Sequence, residues 1–152
     1  MNERETITQP YCAAFMLIER DGKYLFVRRS HTKWMDGYYG LPSGKVEKGE
    51  GFLRAAIREA KEEVDVIVQP QDAKYMLAFW LQSDDDPDNE WCNVIFRAEK
   101  WQGEPRNAEP HMHDAIAWFA PAELPENTIP SVRQMIETIE NGESYGERHF
   151  EK

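Results

Sequence analysis

GKVEKGEGFLRAAIREAKEEVDV, residues 44–66, decides how this chain is read. A loop carrying Gly44, Gly49 and Gly51 runs into a segment of helical periodicity. At about 100° per residue, Leu53, Ile57, Ala60 and Val64 fall within about 40° of one another, which predicts a core-facing stripe. Glu59, Glu62 and Glu63 gather on a different face, because offsets of three and four residues are neighbours on a helix. Like charges at that spacing cost about 0.2–0.5 kcal/mol per pair. Anions in a last helical turn also oppose the dipole by about 0.3–1 kcal/mol. A hard divalent cation with oxygen ligands relieves both penalties. The competing reading is a solvated acidic helix with Arg58 and Glu62 as an ordinary i,i+4 pair, and an acidic face alone would favour it.

The rest of the composition narrows the function classes. The chain has 152 residues, 41% of them hydrophobic, with five Trp, six Tyr and seven Phe. That length fits one compact domain with a proper core, here residues 1–152. A net charge of −10 argues against holding a nucleic-acid polymer on a basic surface. It also makes a phosphorylated substrate awkward without bound cations. The two cysteines, Cys12 and Cys92, lack metal-ligand or redox spacing and read as reduced thiols of a cytoplasmic protein. The polar start MNERETITQP is not a signal peptide, and no apolar run approaches the roughly 20 residues of a membrane span.

Spacing separates the two readings of the helix. Gly44, Glu50, Arg58-Glu59-Ala60, Glu62-Glu63, Val64 and Val66 resemble the Nudix box, the signature of the Nudix hydrolases, at every fixed position but one. Asp65 stands where that signature has Gly. Gly after a helix serves as the left-handed C′ residue, and Asp reaches that conformation at modest cost. A slightly less stable helix end with its acidic face intact is expected.

The resemblance implies an α/β fold, an α/β/α sandwich around a mixed β-sheet, over roughly residues 11–141. It implies Mg²⁺, with Mn²⁺ as the alternative ion, held by Glu59, Glu62, Glu63 and the Gly44 carbonyl. Glu50 would support the loop, Glu47 adds an acidic group, and Arg58 would orient the carboxylates. The implied chemistry is hydrolysis of a diphosphate linked to another group, with a small nucleotide or other diphosphate as the bound partner. MutT-like release of pyrophosphate from a nucleoside triphosphate is the first reading. ADP-ribose and related diphosphates are the second, and a non-catalytic ligand sensor is the third. Such sensors typically lose the Glu pair that stands here as Glu62-Glu63. Self-association as a homodimer is left open.

Outward from the box, residues 11–18 (YCAAFMLI) read as a buried strand, Asp21-Gly22 as a hairpin turn and residues 24–29 as the returning strand. Alternation sends Arg28 and Arg29 to opposite faces; the resemblance to MutT-like members assigns Arg29 to substrate phosphate. Residues 30–45 read as a loop whose Trp34, Tyr38 and Tyr39 either stack on a base or cover the core. Residues 66–69, 73–82, 91–98 and 115–119 are expected as strands, with residues 81–90 (LQSDDDPDNE) forming a solvated hairpin tip. In the loop 103–114, Glu109 of Asn-Ala-Glu-Pro matches a glutamate that helps catalysis or metal binding in a Nudix subgroup. His111-Met112 departs from that subgroup's Glu-Lys. His111 and His113 read as surface residues. Trp118, in a Trp-Phe segment common late in this domain, lies near the nucleotide or packs the sheet. Ser131 is expected to N-cap a closing helix that ends at Asn141-Gly142, and the tail after it is expected to be loose.

Overall fold

A computed structural model describes residues 3–152; the first two residues of the polar leader lie outside the described residues. Its spine is β1 (Tyr11–Arg20). Ala13, Phe15 and Leu17 face one side of this strand and Ala14, Met16 and Ile18 the other, all buried. Burial on both faces is what a continuous apolar run in a central strand predicts. One edge of β1 pairs in parallel along its length with β6 (Glu90–Ala98). The other edge is divided. β4 (Ser43–Lys45) lies antiparallel beside Ala13 to Phe15, whereas β2 (Lys23–Arg29) pairs only with Glu19 and Arg20.

β2 thus peels away from β1 toward its Arg29 end, pairing there with β3 (Tyr39–Gly40) and, from Tyr24 to Arg29, with β7 (His113–Phe119). With β5 (Ala73–Gln82) and β8 (Tyr145–Arg148) the eight-stranded order is β3-β2-β1-β6-β5-β8, with β4 on β1 and β7 on β2. A short helix, α1 (Glu3–Thr6), precedes β1. Helix α2 (Phe52–Val64) covers one face of the mixed sheet and α3 (Pro130–Glu140) the other. This is the expected α/β/α sandwich.

Helix α2 spans the region expected, but its buried face is Ala55, Ala56, Ala60, Glu63 and Val64. Leu53 and Ile57 are half-buried at the border. The face is turned because alanines let the helix lie close on β1, and that rotation takes Glu63 under the sheet edge. Asp65 ends the helix in the left-handed conformation, φ 58° and ψ 38°, its N–H donating to the Lys61 carbonyl.

Several expectations need correction. Residues 66–69 form no strand: Ile67 makes a single bridge to Gln102 while Val66 and Val68 bury their side chains. The loop 30–45 contains β3 and β4. Helix α3 begins with Pro130 at N1 after Ile129, with no side-chain cap bond from Ser131. The tail is not loose up to Arg148, because β8 adds in parallel to the β5 edge. No helix among the described residues is long and apolar enough to cross a membrane.

The left-handed turn predicts a difference between two substitutions. Asp65→Gly and Asp65→Ala both remove the side-chain pairs to Lys61 and Arg106, so only the backbone term separates them. Asp65→Ala is expected to be the less stable by about 1 kcal/mol, roughly 2–4 °C in a chain of this size. Matched thermal melts measure it; equal midpoints would refute the backbone account.

Candidate active site

Helix α2 delivers its three box carboxylates to three different environments. Glu63 is 7% exposed, and its Oε2 accepts the Ser43 N–H at 3.1 Å. The Glu59 side chain is 12% exposed and its Oε1 lies 2.8 Å from Arg58 Nη1. Glu62 is 49% exposed, with Oε2 at 3.3 Å from the same nitrogen. The single acidic face expected from the helical wheel is therefore a fan running from core to solvent. No three His, Cys, Asp or Glu side chains among the described residues are drawn into a ready metal cluster. Arg58 takes Glu59 and Glu62, and the backbone takes Glu63.

Arg58 is the hub of this network. Its Nη2 donates to Glu50 Oε1 at 2.6 Å and to the Lys45 carbonyl at 3.1 Å, and its Nε donates to Glu50 Oε2 at 3.1 Å. Glu47 stands farther off, 3.8 Å from Nη1, while its N–H donates to Glu50. The Arg58 guanidinium holds the Glu50 carboxyl down at about 2. That contribution to stability is present above the ordinary carboxyl value and is lost as pH falls toward 2.

Gly44 makes room for the Glu59 carboxylate, which a Cβ there would displace. The Gly44 backbone and Glu59 thus form one lip of the site. Glu109 arrives from the far loop because that loop is hydrogen-bonded onto the end of α2. Arg106 N–H donates to the Val64 carbonyl and Ala108 N–H to the Glu63 carbonyl, both at 3.0 Å. Burial pushes the Glu63 carboxyl well up, and the negative charges of Glu59 and Glu109 push the same way. Glu59 is raised chiefly by burial, against the pull of Arg58.

Glu63 and Gly44 open onto a cavity of about 750 Å³ that is lined by residues of both β1 and β2. Phe15, Leu41, Trp91, Ile129 and Met135 give it largely apolar walls, while Arg29, Ser43, Lys45, Glu63, Asn93 and His113 supply polar groups. Arg29 extends β2 into it. Its Nε donates to the Trp34 carbonyl at 2.9 Å and its guanidinium lies 5.1 Å from the Trp34 ring centroid. Burial lowers the Arg29 pKa, and the charge of Glu63 opposes that shift. Arg28 points away and pairs with Asp114 at 2.6 Å.

Of the loop aromatics only Trp34 reaches the cavity. Tyr38 is exposed outside it and contributes its backbone carbonyl, which accepts the Arg29 N–H. Tyr39 packs edge-on against Phe119. Trp118 belongs to the α2 side of the sheet, where it stacks on Trp101 under the Arg20 guanidinium. Strand alternation sends it opposite to Phe119; the nucleotide-pocket alternative for Trp118 is set aside.

Three cavity groups escaped the sequence reading. His113 is buried, not at the surface. Asn93, at 2% exposure, sits on the cavity wall with Nδ2 on the Phe79 carbonyl; an amide at an inward position of the apolar strand WCNVIFRA was the available signal. The acidic hairpin between β5 and β6 is more than a solvated tip, since Asp84 and Asp85 line the cavity rim.

Residues 8–139 match the NUDIX domain family. The chain is 33% identical over 95 residues to the ADP-ribose pyrophosphatase of Methanocaldococcus jannaschii, covering 62% of this chain and 54% of that protein. It thus spans about half the length of this curated relative. It is 25% identical over 151 residues to the RNA pyrophosphohydrolase of Erythrobacter litoralis, covering 90% and 92% of the two chains. The crystal structure of a MutT NUDIX hydrolase from Burkholderia pseudomallei superposes with a TM-score of 0.76 at 32% identity, over 85% of this chain and 97% of that one.

The burial of Glu63 carries a prediction for metal-free protein. Above the ordinary carboxyl value, 4.5, the unfolded chain releases a proton that folded Glu63 retains. Stability therefore falls as pH rises from 4.5 up to the raised folded value. Glu63→Gln keeps an acceptor for Ser43 N–H and removes this loss. It is expected to melt higher than the parent at pH 7.5, by about 2–4 °C per kcal/mol recovered, and equally at pH 4. A variant no more stable at pH 7.5 would show that the carboxylate is already compensated.

Proposed function

The chain belongs to the Nudix family, and from that membership we propose that it is an enzyme hydrolysing a phosphoanhydride in a nucleotide-type diphosphate substrate. The observation that carries the reading is the convergence of Glu63 and Arg29 on one largely apolar cavity, with Glu59 and Glu109 close enough to Glu63 for their charges to raise its carboxyl. Buried carboxylates that repel one another suit a cation, and a cavity of about 750 Å³ suits a nucleoside. We read residues 1–152 as a single domain, and the two free thiols suit a reducing, cytoplasmic setting.

The donor set fits a hard divalent cation. All the groups offered are oxygens, and the Gly44 backbone already touches the Glu59 carboxylate. Gly44, Glu59, Glu62 and Glu63 would hold Mg²⁺ or Mn²⁺, which when bound supplies charge neutralisation on phosphate oxygens and acidifies water. Arg29 binds the phosphate chain with the nitrogens that Trp34 leaves free. Arg58 keeps Glu59 and Glu62 in fixed orientations, and Glu50 with Glu47 fixes Arg58. We assign Glu109, in the loop tied to the end of α2, as the proton acceptor, with Glu59 and Glu62 as the alternatives. Trp34, Phe15 and Trp91 offer faces for a base.

A nucleoside triphosphate, cleaved to monophosphate and pyrophosphate, is the substrate class we favour. The likeness to a protein named ADP-ribose pyrophosphatase supports a second reading, an ADP-ribose-type diphosphate. A net charge of −10 speaks against gripping the body of an RNA chain. The intact Glu62-Glu63 pair speaks against a non-catalytic sensor.

Product analysis with Mg²⁺ across nucleoside triphosphates, ADP-ribose and dinucleotide polyphosphates decides the substrate. Pyrophosphate release from a triphosphate supports the first reading; turnover of ADP-ribose alone replaces it with the second. Glu62→Gln, exposed and peripheral to the core, is expected to lower kcat by roughly a hundredfold or more with an unchanged melting profile. Wild-type kcat in that variant would remove Glu62 from the metal set.

A further inference from the structure

Nδ1 of His113 is the one side-chain nitrogen or oxygen among the described residues that is shielded from solvent and lacks a hydrogen-bond partner. A buried polar atom left unpaired costs about 1–3 kcal/mol, and that cost bears on which ring nitrogen carries the proton. His113 is 5% exposed, pairs across β7 and β2 with Arg29, and lines the cavity. Its backbone is fixed on both sides. The N–H donates to the Glu109 carbonyl at 2.9 Å, and the carbonyl accepts Asn107 Nδ2 at 2.6 Å. The His113 backbone is therefore fixed between the Arg29 strand and the Glu109 loop.

The second ring nitrogen, Nε2, has no partner either. Nε2 is not among the shielded atoms left unpaired, and His113 lines the cavity. The ring is neutral near pH 7, burial holding it down at about 4 with the Arg29 charge adding to the effect. A neutral imidazole has one N–H and one bare acceptor. A shielded N–H without a partner is rarer and costlier than a bare acceptor. The proton accordingly sits on Nε2, and a single donor faces the cavity beside Arg29.

We propose that His113 is a substrate-binding residue, its Nε2–H donating to an oxygen of the substrate's diphosphate next to the Arg29 guanidinium. The proposal rests on the reading of this site as a diphosphate hydrolase. A phosphate oxygen is the matching acceptor because the neighbouring cation attracts an anion to that spot, and a hydrogen bond to an ionised acceptor is about twice as strong as a neutral one.

The test uses methylenediphosphonate, whose P–C–P bridge cannot be hydrolysed, titrated with Mg²⁺ by calorimetry into the full chain. His113→Phe fills the same space without the donor and is expected to weaken binding about tenfold. His113→Gln places its amide nitrogen near the position of Nε2 and should recover most of the affinity. His113→Asn reaches only the position of Nδ1 and should not. If the phenylalanine variant fails to fold, the Gln–Asn comparison carries the test alone. Wild-type affinity in folded His113→Phe, or rescue by Asn and not by Gln, overturns the proposal while leaving the diphosphate reading intact. Absence of binding to the wild-type chain overturns that reading, and the role of His113 with it.

Discussion

Keeping Glu63 nearly out of water, beside Glu59 and Glu109, is the constraint on which the rest of this structure depends. A buried carboxylate must be paired, hydrogen-bonded or protonated. Here it has one backbone N–H, from Ser43, and two like-charged neighbours. Arg58, on the same helix, is already divided among Glu50, Glu59 and Glu62, and the cation whose charge reaches Glu63 is Arg29. One guanidinium cannot neutralise that many carboxylates, so the surplus negative charge is left at the cavity mouth. The fold accepts this arrangement because large apolar surfaces on both sides of the sheet outweigh it.

The packing of α2 follows from the same constraint. Ala55, Ala56 and Ala60 are fully buried and let the helix axis approach β1 closely enough for Glu63 to reach the Ser43 backbone. Gly44 leaves room for Glu59. At the helix end, Asp65 does more than tolerate a left-handed turn. Its carboxylate pairs with Lys61 and with Arg106, and the Arg106 and Ala108 N–H groups satisfy helix-end carbonyls. Carbonyls at a helix terminus otherwise lack partners. The residue that departs from the family signature thus ties the Glu109 loop to the acidic helix.

Much of this was legible in the sequence because box spacing, strand alternation and turn residues are local signals. The span of α2, the 73–82 strand and the Asp65 turn follow from such signals; alternation separated Arg28 from Arg29, and the family resemblance chose Arg29. The helical wheel misplaced Glu63, since it ranks residues by polarity and cannot see that three alanines turn the helix. Residues 145–148 lacked an apolar pattern because β8 is an edge strand, and its pairing with β5 is set by tertiary contact. Ser131 lost the cap to geometry: Pro130 takes N1 and needs no N–H partner. His113 was misread as a surface residue and the two alternatives for Trp118 stayed open for one reason. Which face of β7 meets the cavity depends on where β2 leaves β1, and that divergence is a property of the whole sheet.

The partners of the cavity-wall cations differ from those of several structural arginines, and the difference bears on how an acidic molecule receives an anionic substrate. Arg28, Arg58 and Arg148 are matched to carboxylates, which consumes their charge in holding the structure together. Arg29 and Lys45, the two cations on the cavity wall, rest instead on aromatic rings. Arg29 lies over Trp34, and Lys45 lies 4.6 Å from the Tyr11 centroid and 5.7 Å from that of Trp91. An aromatic face steadies a cation by about 0.5–2 kcal/mol without neutralising it. The positive charge stays available to a phosphate while the side chain is kept from collapsing onto Glu59 or Glu63. In a chain of net charge −10, only cations held in this way can serve a ligand of the same sign as the protein.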